Sequence, residues 1–160
     1  MIVRAVTFYD VVLTVHILAV VVAFGVVFAY PVLDTWFRRA APGNVAALHE
    51  LHVVLARRVI TPAMVVVLLA GLYLTIDRWS LGDPWISATF AILFVLFGLV
   101  GAVLTPADKK LVELAERDGR SGGGPSKEYL AESRKADAFG SLALLLVLVA
   151  IVLMTVKPGA

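Results

Sequence analysis

Three histidines and two adjacent arginines are the residues of this 160-residue chain best suited to chemistry. His16 sits inside "DVVLTVHILAVVVAFGVVFAY", an otherwise lipid-like run. A polar side chain at membrane depth faces a bundle interior and serves a purpose there. Two uses suit a neutral imidazole at that depth: a hydrogen bond to a neighbouring helix, or axial ligation of a b-type haem iron. A proton relay with Asp10 is a third. His49 and His52 are spaced i, i+3, so both project from one side of a helix with Glu50 beside them. They suit an interfacial polar face or part of a metal site, for which two imidazoles alone are an incomplete set. Arg57 and Arg58 either snorkel to lipid phosphates or pair with an acidic cofactor group such as a haem propionate.

The elements that must position these residues are helices. The chain is 61% hydrophobic and only 16% charged, a membrane composition. Four solidly apolar stretches, about 8–33, 59–76, 85–104 and 138–156, each suffice to span a bilayer. Unbroken apolar runs exclude the alternating pattern of a membrane barrel. The expected fold is an all-α, integral membrane four-helix bundle in one transmembrane domain, with a connection at 105–137. The apolar start is too long for a signal-peptide core and reads as a retained first span. There is no cysteine, which removes disulfides, thiolate metal sites, iron–sulfur clusters and covalent haem attachment. A net charge of +2 gives no basis for a nucleic-acid partner.

Local signals refine this outline. Pro62, in "ARRVITPAM", removes a backbone donor and should kink its helix near Arg58. Asn44 is placed to cap a helix through "VAALHELHVVLARRV", and Asp83–Pro84 to start the third span. "TPADKKLVELAERD" reads as an amphipathic extension with Leu111 and Leu114 on its apolar side. The segment 119–126, "GRSGGGPS", has a linker composition. Gly25 with Ala29, Gly98 with Ala102, and Ala136 with Gly140 form small-xxx-small pairs, suited to packing within the bundle or to a homo-oligomer.

Together "VHILAVVVAFGVVFAYPVL", "ARRVITPAMVVVLLAGLYL" and "LMTVKPGA" resemble the bacterial membrane-bound protoporphyrinogen oxidase family. They also resemble its distant relatives, the copper-resistance protein D group and small predicted integral membrane proteins of unknown function. The resemblance implies a haem role for the first-span histidine, here His16. It also draws attention to Arg57, Arg58, Pro62, Lys157 and Pro158. The third span offers only Ser87 and Thr89 where the oxidase pattern implies a basic residue, so the unknown-function relatives match better. The expected function is a haem b-binding, redox-associated protein of a bacterial plasma membrane, with no specific enzyme activity implied. The alternatives are a copper-type metal-ion transport component, or a non-catalytic assembly or scaffold subunit. The single methionine of the first three spans beyond the initiator, Met64, gives little basis for soft copper(I) ligation.

Eleven of the fourteen lysines and arginines lie between spans one and two or between spans three and four. By the positive-inside rule those connections are cytoplasmic and both termini extracytoplasmic. In this cysteine-free chain, Ser80→Cys should react with an impermeant thiol reagent on intact cells and Ser121→Cys should not. The reverse pattern overturns the orientation.

Overall fold

The computed structural model describes residues 5–122 and 124–159, and all of its regular structure is helical. Four helical rods are each long and apolar enough to cross a membrane: Phe8–Ala40, Pro42–Arg78, Pro84–Ser121 and Lys127–Val156. They reach well beyond the apolar stretches, so the polar connections are themselves largely helical. The first rod comprises α1 (Phe8–Gly25), a 3-10 turn (Val26–Ala29) and α2 (Tyr30–Ala40). The second comprises α3 (Val45–Leu55), a π turn (Ala56–Ile60) and α4 (Thr61–Arg78). The third comprises α5 (Pro84–Gly98), a second π turn (Leu99–Leu104) and α6 (Thr105–Ser121). The fourth is α7 (Lys127–Val156). α1 packs chiefly on α4, α3 on α6 and α5 on α7.

The irregular turns follow from proline chemistry. Pro31, Pro62 and Pro106 have no N–H to give to the preceding turn, and each follows one of these irregular segments. Before Pro62 and Pro106 the helix widens. Thr61 N–H reaches back to the Ala56 carbonyl, and the Thr105 hydroxyl donates to the Val100 carbonyl at 2.7 Å. In lipid such repair is required, because no water is present to satisfy a freed carbonyl. The kink expected at Pro62 thus takes the form of a π turn.

The core is built from Ala19, Ala23, Met64, Val67, Leu96 and Val147, with Met64 and Ala23 fully enclosed. Outward, α1 exposes Val11, Val15, Leu18 and Val22 at between 44% and 59%. An apolar stripe of this kind is a liability in water and an asset against lipid chains. Close packing does not fall at the expected small-residue pairs. A Cβ added at Gly25, Gly98 or Gly140 meets nothing within 4 Å, so these glycines are not at tight crossings. The tight crossing is at Gly71, where an added Cβ would lie 3.3 Å from Cε1 of His16.

Below the third span, Leu111 and Leu114 bury against Tyr129, as their spacing on an amphipathic helix predicts. The linker is shorter and more tightly closed than its composition suggests. α6 continues to Ser121, and Gly122 ends it with φ 66°. Asp118 then accepts the Ser126 backbone N–H at 2.7 Å, while the Ser126 hydroxyl caps α7 through Tyr129 N–H. Asn44 occupies the start of α3, but its side chain makes no capping bond. α5 starts at Pro84, and the Asp83 side chain turns back to accept from Ser80 N–H instead of capping.

The Ser126 backbone bond, joined by Arg117, holds the Asp118 carboxyl below its usual range. A carboxyl lowered by folding supports the turn above its unfolded pKa, and that support is lost as pH falls through the folded value. Asp118→Asn should therefore accelerate proteolytic cleavage within 119–126 at neutral pH. The unsubstituted turn should weaken only below the ordinary carboxylate range. Equal cleavage rates for both proteins at pH 7 would show that the Asp118 bond does not close the turn.

Candidate metal centre

Four helical segments bring polar side chains to one point at the end of the bundle that carries the α2–α3 and α6–α7 connections. Tyr30, Asp34 and Arg38 recur every four residues along α2, so they form one stripe. His49 and His52 come from α3, Asp108 from the first turn of α6, and Tyr129 and Asp137 from α7. Both histidines are buried, 3% and 5% exposed, which replaces the expected interfacial face with an interior one. The chain reversal at Ala41 and the α6–α7 turn are what fold these four segments together.

Asp108 is the hub. Its Oδ1 lies 3.0 Å from His49 Nδ1 and 3.5 Å from His52 Nδ1. The outer nitrogens face oxygen atoms in turn. His49 Nε2 is 3.1 Å from the Tyr129 hydroxyl, and His52 Nε2 is 3.8 Å from Asp34 Oδ1. Tyr30 stacks on the His52 ring with centroids 4.0 Å apart. Burial raises the Asp108 carboxyl, but the two imidazoles outweigh burial and hold it below its ordinary value. The site borders a cavity of about 270 Å³ whose further lining is mostly apolar, with Phe24, Ile60 and Val147 beside the hydroxyls of Thr35, Thr105 and Ser141. Arg38 and Asp137 form a two-fold hydrogen bond at its edge, at 2.9 and 3.1 Å.

The donor set fits a metal ion. One donor atom from each of His49, His52 and Asp108 lies within 4.8 Å of the other two. Donors about 2.0–2.1 Å from a tetrahedral ion sit roughly 3.3 Å apart, and the distances from Asp108 to the two imidazoles bracket that value. Three atoms in the cluster are also buried without a hydrogen-bond partner: His52 Nε2, Asp34 Oδ1 and the Tyr30 hydroxyl. Buried polar atoms left unpaired are costly, and they concentrate at sites that hold something.

His16 lies elsewhere. It packs on Gly71 of α4, 22 residues along the second rod from His49, or roughly 33 Å at 1.5 Å per residue. Arg57 and Arg58 are exposed on the π turn and border neither His16 nor the Asp108 cluster. Among the described residues they form no ion pair. Asp10 turns back to receive the Thr7 N–H and hydroxyl at 2.9 and 2.7 Å, which gives it a capping role at the start of α1. Sequence reasoning reached the histidine pair but missed Asp108, Asp34, Tyr30 and Tyr129. The available signals were the Tyr30–Asp34–Arg38 spacing and an acid just after the Thr105–Pro106 break.

The chain belongs to the family described as predicted integral membrane protein (DUF2269), whose model matches residues 10–158. No curated protein and no solved structure matches it. Membership agrees with the four membrane-crossing rods and carries no activity with it.

Removing the hub leaves two buried imidazoles without their shared acceptor, a loss of about 1–3 kcal/mol. Asp108→Ala should lower the thermal unfolding midpoint of the detergent-solubilised protein by several degrees, while exposed Arg57→Ala changes it little. Equal midpoints would mean that Asp108 does not hold α6 to α3.

Proposed function

We propose that this integral membrane protein binds a divalent first-row transition-metal ion at His49, His52 and Asp108. The observation that carries the reading is the common orientation of the two imidazoles. Each turns Nδ1 towards the same carboxylate oxygen and Nε2 towards an outer oxygen, Tyr129 for one and Asp34 for the other. For His49, whose Nε2 meets the Tyr129 hydroxyl at 3.1 Å, that is the arrangement by which a metal-ligating histidine is held in one tautomer, while His52 Nε2 and Asp34 Oδ1, 3.8 Å apart, make no hydrogen bond. Imidazole and carboxylate donors suit zinc, cobalt, nickel or iron, and a site without thiolate or thioether is poor for copper(I). Transport of such an ion is the functional class closest to this chemistry. Ala23 and Met64 line neither this cavity nor the one beside His16, stand between their lining residues along the first and second rods, and are fully buried, so this conformation favours binding over open conduction. With the orientation expected from the basic residues, the centre faces the cytoplasm.

Haem b on His16 is the second reading, supported by a buried Nδ1 that has no partner. The space beside it is about 190 Å³, below the roughly 300–1,000 Å³ of pockets for drug-sized ligands. The residues present therefore do not fit a macrocycle unless α1 and α4 separate, and Arg57 and Arg58 are roughly 20 Å along the second rod from Gly71, which His16 packs against.

Chelator-treated protein should take up one Zn²⁺ per chain by dialysis and metal analysis. It should also bind Co²⁺ with a visible absorption spectrum of low symmetry. His52→Ala and Asp108→Ala should weaken binding by at least tenfold, Tyr129→Phe by less, and His16→Ala not at all. Uptake unaffected by His52→Ala and Asp108→Ala would overturn the centre. A Soret band lost in His16→Ala would establish the haem reading instead.

A further inference from the structure

At the opposite end of the bundle, a second cavity of about 190 Å³ lies between α1, α4, α5 and the end of α7. It is separate from the metal centre and shares no lining residue with it. Two polar side chains lining it are more than nine-tenths buried and each has an atom without a partner among the described residues: His16, 7% exposed, at Nδ1, and Trp85, 8% exposed, at Nε1. Two such atoms in one small cavity are an uncompensated cost unless something fills it.

The chemistry of the missing partner follows from the groups that face it. The Trp85 indole N–H only donates, and the Lys157 ammonium, also in the lining, only donates. Thr75 and Thr89 already give their hydroxyl protons to carbonyls of their own helices, Gly71 at 2.9 Å and Trp85 at 2.7 Å. An occupant must therefore offer acceptors. It should also be negative. Lys157 Nζ sits 4.5 Å from the Trp79 ring centre and 5.7 Å from that of Trp85, and has no carboxylate within 4.0 Å among the described residues. The acidic side chains described at this end are otherwise engaged. Asp10 caps α1, Asp77 lies 3.5 Å from Arg78, and Asp83 closes the turn before α5. The remaining walls, Leu13, Val67, Leu74, Phe90 and Leu93, are apolar and suit hydrocarbon.

We propose that this cavity binds the head of a carboxylate-bearing lipid-phase molecule of the fatty-acid class. Lys157 supplies the counter-charge, Trp85 Nε1–H donates to a carboxylate oxygen, and the first carbons of the chain pack on the His16 ring and the apolar walls. The small volume admits a carboxylate and a few carbons and leaves the rest of the chain along the lipid-facing surface. Gly71 keeps the imidazole seated, because a Cβ there would lie 3.3 Å from the ring. A bulky phosphodiester head fits this space less well than a planar carboxylate.

The two indoles beside the cavity give a direct readout. In a Trp36→Phe background only Trp79 and Trp85 emit, since the chain has three tryptophans and Trp36 is exposed on α2 at the other end. Full-length protein in detergent should show saturable quenching by 2-bromododecanoate, reversed by unbrominated dodecanoate. Its methyl ester should quench at least tenfold more weakly. Lys157→Gln, a partly exposed position that should not disturb folding, should weaken the acid to the level of the ester. Equal quenching by acid and ester, or an unaltered Lys157→Gln variant, overturns the proposal. Displacement by a neutral quinone that persists in Lys157→Gln also overturns it, in favour of an uncharged acceptor.

Discussion

A single carboxylate oxygen, Asp108 Oδ1, receives both histidines of α3 and thereby holds α6 beneath the second rod. The consequences reach all four rods. Once His49 is fixed by Asp108, its far nitrogen meets Tyr129 of α7. Once His52 is fixed, its far nitrogen faces Asp34 of α2, and its ring supports Tyr30. A buried charge of this kind is tolerated only when its hydrogen-bonding capacity is met by well-placed partners. The leucines that clamp α6, Leu111 and Leu114, supply the apolar contact that keeps water from competing.

Positioning Asp108 depends on how the backbone is treated above it. Both the second and third rods pass through a π turn immediately before a Thr–Pro pair, and residues of both turns border the metal-site cavity. A widened turn changes the facing of every residue after it, so it sets which side of α6 carries Asp108. π turns are found disproportionately at functional sites for that reason. The proline that makes the turn necessary and the threonine that helps satisfy the freed backbone are thus part of the site's construction, and Thr105 also lines its cavity.

The two ends of the bundle are built on different principles. One gathers acids, imidazoles and phenols around Asp108 and leaves His52 Nε2, Asp34 Oδ1 and the Tyr30 hydroxyl without a partner among the described residues. The other presents unpaired donors, an ammonium group and indoles around an apolar space. Between them the core is apolar and buried around Met64. A bilayer has its own two interfaces at comparable separation, and the Trp79–Trp85 pair, 5.1 Å between ring centres, suits one of them.

Much of the fold was legible without coordinates, because hydrocarbon permits so few solutions. Twenty apolar residues with no water must be a helix, four such runs must bundle, and a proline within one must disturb it. The leucine spacing of α6 and the inward placement of His16 followed from periodicity and cost. What the sequence by itself left undetermined was every relation between distant segments. His49 and His52 read as a polar face because the carboxylate they share is 56 residues further on from His52, and nothing local marks Asp108 as their partner. The small-residue pairs at Gly25, Gly98 and Gly140 had the right spacing, yet the tight crossing went to Gly71, where an imidazole needed room. Close approach is decided by which faces meet, and in lipid several faces are equally apolar. Only tertiary packing, through the turn widths at two prolines and the docking of α6 on α3, selected the face that became the site.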